Sequence, residues 1–136
     1  MANVRLIVGV ENVLRNMRRR QDLLGAGVSR GLRLAGLELQ RASQLLVPVE
    51  YGVLRASAFT RHTGASFDTV VNVGYTAAYA IYVHENVAMA GRGLPRPSGR
   101  GNYWDPAGRG QAKFLEEPAR IMTPHLRQTI MRAARI

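Results

Sequence analysis

The sequence predicts an α+β fold: a small antiparallel β-sheet packed against a long helix in the N-terminal half and against a C-terminal helix, with a long extended loop. Apolar residues recur every three or four positions over residues 28–46 and again over 115–133, which is typical of amphipathic helices. Between them, the β-branched run 69–74 is typical of a strand. A chain of 136 residues is expected to form a single domain, 1–136, around one core.

The net charge of the chain indicates which classes of partner it favours. The chain has 19 Lys and Arg against 9 Asp and Glu, for a net charge of +10. Such an excess favours nucleic acid, an anionic surface or an acidic protein as partner. The absence of cysteine excludes disulfides and thiolate metal sites. The longest apolar run, 77–83, is too short for a bilayer and the N-terminus lacks a signal-peptide layout, so we expect a soluble, unsecreted protein with no membrane partner.

The first segment combines a strand and a helix. Residues 3–8 favour a short strand, and Val10 opens a helical pattern that Gly25 and Gly27 are expected to interrupt. A run of three arginines closes this pattern. It complements the negative end of the helix dipole, and it is also a candidate DNA-facing patch. These residues are Arg18, Arg19 and Arg20.

The long helix over 28–46 ends before Pro48 and places an apolar stripe against the rest of the chain. A hairpin follows, with strands over 54–60 and 69–74 and a tip near Gly64. The core residues expected from these elements are Leu32, Ala35, Leu39, Leu46, Leu54, Val71 and Val73.

Residues 74–85 contain three of the five tyrosines. Their alanines predict a short helix over 77–84, docked by its tyrosines at a core edge or an interface. The adjacent pair at its end is expected to point in different directions, as neighbours on a helix do. The candidate subunit or partner contacts here are Tyr75, Tyr79, Tyr82, His84 and Glu85.

Residues 86–112 form a long segment rich in glycine, proline and arginine. One hypothesis is an arm that orders against a partner, with adjacent aromatic residues as its anchor. The other is single-stranded nucleic-acid binding, because Gly-Arg-Gly recurs three times. The candidate contact residues are Arg92, Arg96, Arg100, Tyr103, Trp104 and Arg109.

The last helix begins within 113–119, where glutamates suit its first turn. Pro124 predicts a kink; the alternative is a new helix capped by Thr123. The core residues expected here are Phe114, Leu115, Met122 and Leu126.

The sequence contains no motif that predicts a catalytic or metal-binding site. The histidines at 62, 84 and 125 match no metal-ligand spacing, and no phosphate-cradling loop or nucleophile motif is present. We therefore expect no catalytic residue, no metal, no cofactor and no enzyme activity.

Three blocks of the sequence, taken in order, carry a family resemblance. The first is residues 48–57, Pro-Val-Glu-Tyr-Gly-Val-Leu-Arg-Ala-Ser, after a long helix. The second is Val-Gly-Tyr at 73–75 with Tyr-Ala-Ile-Tyr-Val-His-Glu at 79–85, and the third is Gly-Gln-Ala-Lys-Phe-Leu-Glu-Glu-Pro-Ala at 110–119. Together they resemble the gene-product-ten-like "minor capsid", or tail-completion, proteins of long-tailed bacteriophages. Two departures indicate a divergent branch: Tyr51 replaces a usual threonine, and His-Glu-Asn at 84–86 stands where many members have Glu-Phe-Gly.

The resemblance implies a structural protein of the phage neck that joins tail to head. It implies a ring, with a hexamer favoured and a dodecamer possible, through whose lumen double-stranded DNA passes. The implied partners are the adjacent neck proteins and the tail-tube or tail-terminator proteins. The implied location is the head–tail junction of the virion, after assembly in the host cytoplasm. The alternative is a basic nucleic-acid-binding protein that acts through its Gly-Arg arm.

Overall fold

A computed structural model describes residues 8–49, 52–86 and 110–135. The elements in order are α1 (Val10–Leu46), α2 (Val53–Ala56), β1 (Ala58–Thr63), β2 (Val70–Tyr75), α3 (Ala80–Glu85) and α4 (Glu116–Ala134). The predicted α+β fold is confirmed, because a two-stranded antiparallel sheet and α4 both pack on α1. The predicted first strand, apart from Val8, and the arm over 87–109 lie outside the described residues.

Helix α1 is continuous, so the predicted interruption at Gly25 and Gly27 is wrong. Its 37 residues extend for about 56 Å. The glycines allow α4 to approach the α1 backbone closely. A Cβ atom at Gly27 would lie 2.8 Å from Ala134 Cα, and one at Gly31 would lie 2.7 Å from Ile130 Cα. Packing therefore outweighs the low helix propensity of glycine, which costs about 1 kcal/mol per residue relative to alanine.

The hairpin packs on a second side of α1. A Cβ at Gly36 would lie 2.6 Å from Val71 Cγ1, so the sheet also approaches the helix backbone closely. The Thr60 hydroxyl lies 2.6 Å from Gln40 Oε1 and donates a hydrogen bond to it. Strand pairing extends from Ala58 opposite Tyr75 to Thr63 opposite Val70.

The start of the predicted first hairpin strand is helical instead. Gly52 adopts φ +79°, and the Ala56 N–H donates to the Gly52 carbonyl at 2.9 Å. This closes the single turn of α2, so β1 begins only at Ala58. Leu54 is nevertheless buried, as expected. The tip is a turn beyond Thr63 in which Gly64 adopts φ +80°.

Helix α4 continues through Pro124, so the alternative of a new helix capped by Thr123 is wrong. The Thr123 hydroxyl instead donates to the Ala119 carbonyl one turn earlier, at 2.8 Å. The kink expected at Pro124 stays a prediction.

The main buried cluster lies where the end of α1, α2 and the segment before α4 meet. Ala35, Leu54 and Phe114 are buried. The other residues predicted for the core are partly buried: Leu32, Leu39, Leu46, Val71, Val73, Leu115, Met122 and Leu126. Among the described residues, no helix has both the length and the apolar character that crossing a membrane requires.

The N-terminal part of α1 projects beyond this core. Every residue from 10 to 23 is exposed, including four apolar residues at helical spacing: Val10, Val13, Leu14 and Met17. They extend the stripe that is buried further along the same helix. We call this set the overhang stripe.

We predict that Gly31→Ala lowers the free energy of unfolding by about 1–2 kcal/mol. The new methyl group meets the Ile130 backbone, and overpacking of about 1–3 kcal/mol exceeds the gain in helix propensity. Urea denaturation followed by circular dichroism measures this change.

The matched control is Ala26→Gly on the exposed side of the same helix, which should cost about 1 kcal/mol through propensity alone. A Gly31→Ala protein more stable than the wild type would contradict the close approach of α4.

Candidate functional site

The centre of the candidate site is the side chain of Phe114, which is only 1% exposed. It forms a buried cluster with Val47, just after α1, and Leu54 in α2. Partly buried apolar residues from β2, α3 and the flanking segments pack around them: Leu46, Tyr75, Ala77, Ala80, Val83 and Leu115. We call this region the Phe114 junction. It joins the end of α1, α2, the end of β2, α3 and the segment that leads into α4.

Two aromatic rings contact Phe114 edge to face. The ring centroid of Tyr75 lies 5.1 Å away and that of His84 lies 4.9 Å away, both at 85° to the Phe114 plane. The Tyr75 hydroxyl also lies 2.6 Å from Ser43 Oγ on α1. Burial raises the pKa of Tyr75, although the Ser43 hydrogen bond and the Arg55 charge oppose that rise. A polar end and an apolar ring thus fix Tyr75 between α1 and Phe114.

The segment that carries Phe114 is held by backbone hydrogen bonds at both sides. The Gln111 N–H donates to the Leu46 carbonyl at 2.8 Å, and the Lys113 N–H donates to the His84 carbonyl at 2.8 Å. Gln111 also donates through its side chain to Glu117. These bonds attach the entry of α4 to the ends of α1 and α3.

A polar cluster covers the outer side of Phe114. His84 Nδ1 lies 2.7 Å from Glu85 Oε1, and the Glu116 N–H donates to His84 Nε2 at 3.3 Å. The proton therefore lies on Nδ1. Lys113 Nζ lies 2.5 Å from Glu85 Oε2 and 3.0 Å from Glu116 Oε2. We call these four residues the polar clasp.

The expectation that His84 and Glu85 point in different directions is wrong. Both belong to the last turn of a six-residue helix, and the flexible Glu85 side chain turns back towards the imidazole. Its other carboxylate oxygen contacts Lys113, which arrives from a distant part of the chain. Tertiary contact therefore overrides the helical directions that neighbouring residues normally take.

Contacts within the clasp shift the pKa values of Glu85 and Lys113. The hydrogen bond from Lys113, and then that with His84, lowers the pKa of Glu85. The hydrogen bonds to Glu85 and then Glu116 raise the pKa of Lys113. Both charged forms are thus favoured around neutral pH.

The clasp has some of the geometry of a metal site. Ligand atoms of His84, Glu85 and Glu116 all lie within 4.8 Å of one another. The Lys113 ammonium, however, contacts both carboxylates and supplies the positive charge that a metal ion would bring. The contacts therefore favour a structural clasp. The expected absence of a catalytic, metal or cofactor role stays a prediction.

Two of the tyrosines do not dock α3 as expected. Tyr79 is 45% exposed and Tyr82 is 75% exposed, whereas Ala80 and Val83 make the contacts with the core cluster. The alanines fit because they let the short helix lie close to Phe114. A partner contact for these exposed tyrosines stays a prediction.

An open groove of about 280 Å³ lies beside α3. It is mostly apolar, and its lining includes Phe114 and two residues of the clasp, His84 and Glu85. Its lining comprises Tyr75, Ala80, Ile81, His84, Glu85, Phe114 and Leu115.

The remaining candidate residues are dispersed. Arg18, Arg19 and Arg20 are exposed on the overhang of α1, far along the helix from the junction. His125 contacts Glu38 at 3.0 Å on the α1–α4 side, so the three histidines do not converge. The arm residues lie outside the described residues: Arg92, Arg96, Arg100, Tyr103, Trp104 and Arg109.

The sequence reasoning missed Lys113 and Glu116 as members of the site. A signal was present, because Lys113 is the only lysine and lies three residues before Glu116. Ser43, the partner of Tyr75, gave no signal, since a serine within a helical pattern is ordinarily solvent-facing.

The three sequence blocks converge at the junction. Leu54 comes from the first block, Tyr75 and His84 from the second, and Phe114 from the third. Segments separated by tens of residues thus build one packing unit.

Comparisons with protein-family models, with curated proteins and with solved structures find no match to this chain.

We predict that Phe114→Ala destabilises the fold by about 3–5 kcal/mol, because it removes a fully buried ring from the junction. Urea denaturation monitored by circular dichroism measures the loss. Tyr79→Ala is the control: its half-exposed side chain should cost far less. Equal losses for the two variants would contradict the central place of Phe114.

We also predict that the clasp makes a pH-dependent contribution to the free energy of unfolding. Because the pKa of Glu85 is lowered by folding, its contribution is complete above about pH 4.5 and is lost as the pH falls through the folded value. The raised pKa of Lys113 adds a contribution that is complete below about pH 10.5 and is lost as the pH rises through the folded lysine value.

Carboxyl NMR titration of Glu85 tests this directly. Lys113→Met should raise the pKa of Glu85 towards its ordinary value, because it removes the strongest hydrogen bond to that carboxylate. An unchanged titration in this variant would exclude the clasp in solution.

Proposed function

We propose that this chain is a structural protein of a tailed-bacteriophage neck, which forms a ring that joins tail to head and encloses passing DNA. The observation that carries the proposal is the convergence of the three family-like blocks at the Phe114 junction. Their convergence supports a shared structural unit and, through the resemblance, the head–tail joining role.

The junction also has the layout that an inter-subunit arm requires. Asn86 follows α3 directly, and Gly110 lies against Pro48 at the end of α1. Both ends of the 87–109 segment therefore start from the same rigid unit. In the proposed ring this segment reaches a neighbouring subunit, with Tyr103 and Trp104 as anchors and the arginines as polar contacts.

The overhang stripe offers a second subunit contact. A head-to-tail ring needs two different complementary surfaces on each subunit. Val13 and Met17 are 56% and 61% exposed, although they continue the apolar face that α4 and the hairpin cover further along. We propose that a neighbouring subunit covers them, in a hexamer by preference or in a dodecamer.

The exposed arginines at 18–20 suit either of two roles in such a ring. They can face the DNA in the lumen, or they can contact acidic neck and tail proteins. Their exposure also favours the alternative function, in which a basic chain binds nucleic acid through these residues and the Gly-Arg arm.

We predict that Val13→Glu with Met17→Glu abolishes ring formation while the fold persists. The substitutions place carboxylates in a proposed apolar interface, yet both positions are exposed in the single chain. Analytical ultracentrifugation and negative-stain electron microscopy measure assembly, and circular dichroism measures folding. Ile121→Glu, an exposed apolar position on α4, is the control and should still assemble.

Two results would contradict the proposal. One is a wild-type chain that stays monomeric at all concentrations and is absent, by mass spectrometry, from the virions that encode it. The other is tight single-stranded DNA binding that is lost when Arg92, Arg96, Arg100 and Arg109 are replaced, which would favour the nucleic-acid-binding alternative.

A further inference from the structure

Helix α1 carries a second row of residues on its outer side. Its members recur every three or four positions, so they form one line along the helix. The row contains four leucines, three arginines and one alanine: Arg19, Leu23, Ala26, Arg30, Leu34, Leu37, Arg41 and Leu45. We call it the outer row.

Every member of the outer row is exposed. The four leucines are 65%, 51%, 55% and 63% exposed, in the order of the chain. Single exposed leucines are ordinary on protein surfaces. Four of them on one helical line, over about 33 Å, make a continuous face instead.

The packing of α1 explains why this face is uncovered. Helix α4 lies against Gly27 and Gly31, and the hairpin lies against Gly36 and Gln40. These two contacts flank the buried apolar stripe, and the outer row lies on the opposite side of the helix. Within the described part of the chain, α4 and the hairpin therefore cover the apolar stripe of α1, and its outer row stays uncovered.

The charges of the outer row select its partner. The row contains three arginines and no carboxylate, and none of the three forms an ion pair among the described residues. The nearby Glu38 carboxylate is already in contact with His125 and Thr129 on α4. The row thus presents apolar contacts together with unsatisfied positive charge.

We propose that the outer row binds an amphipathic helix of another protein, whose apolar stripe is flanked by aspartate or glutamate. Leucines at helical spacing pack against such a stripe, and the arginines pair with its flanking carboxylates. A second copy of the row fits poorly, because symmetric pairing would bring cationic rows together. The leucines also separate the arginines, so the row does not offer the continuous line of positive charge that a DNA backbone would contact. This disfavours DNA as the partner.

This inference does not depend on the ring. The overhang stripe lies on a different face of α1, and the arm lies in a different part of the sequence. Of the residues that the ring proposal uses, only Arg19 also belongs to the outer row. The outer row would receive a different protein, whether or not the chain forms a ring.

The test uses two synthetic helical peptides of about 21 residues with the same leucine stripe, one flanked by glutamate and the other by lysine. Fluorescence anisotropy measures their binding to the full chain at two salt concentrations. We expect roughly micromolar binding of the glutamate peptide, as for a small interface, and at least about tenfold weaker binding of the lysine peptide.

Two variants locate the binding site. Leu34→Gln with Leu37→Gln should weaken binding of the glutamate peptide by about thirtyfold. Arg30→Glu with Arg41→Glu should reverse the preference, so that the lysine peptide binds more tightly. The matched control, Val13→Gln with Met17→Gln on the overhang stripe, should leave both affinities unchanged. Circular dichroism verifies that each variant folds.

Several outcomes would overturn the proposal. One is equal affinity for the two peptides; another is binding that the leucine substitutions do not change. Loss of wild-type self-association in the leucine variant would show that a second copy covers the row. Binding to phosphatidylserine-containing vesicles that this variant abolishes would show a membrane surface as the occupant. A failure of ring assembly alone would affect only the neck proposal.

Discussion

Burial of the Phe114 ring is the interaction on which the rest of this structure depends. Phe114 lies where α1 ends, where α3 ends and where α4 is about to begin. Its side chain therefore packs against residues at all three places. Tyr75 connects Phe114 to α1, because its ring packs on Phe114 and its hydroxyl contacts Ser43. A fully buried aromatic ring is worth several kcal/mol, which is a large part of the net stability of a small domain.

The close packing of α1 makes this junction possible. Glycines at 27, 31 and 36 remove side chains where α4 and the hairpin approach, so a single long helix supports both. The helix loses propensity at each glycine, but the close approach brings many atoms into van der Waals contact. The same geometry leaves two apolar surfaces of α1 uncovered: the overhang stripe, a proposed subunit contact, and the outer row, the proposed site for a partner helix.

The polar clasp adds directional contacts where the junction meets solvent. Lys113 bridges two carboxylates, and His84 accepts the first N–H of α4 while it donates to Glu85. Exposed ion pairs contribute little stability individually. Their value here is positional, because they orient the end of α3 relative to the start of α4.

The sequence by itself determined the fold class, the hairpin, the amphipathic stripe over 28–46 and the burial of Leu54 and Phe114. Those features follow from periodicity and side-chain type, which are local properties. The tertiary structure alone decided that Gly25 and Gly27 lie within one helix, since a glycine that breaks a helix and one that admits a neighbour look identical in sequence. It likewise brought Lys113 to Glu85 and left Tyr79 exposed, because long-range contacts depend on how the elements pack and not on local spacing.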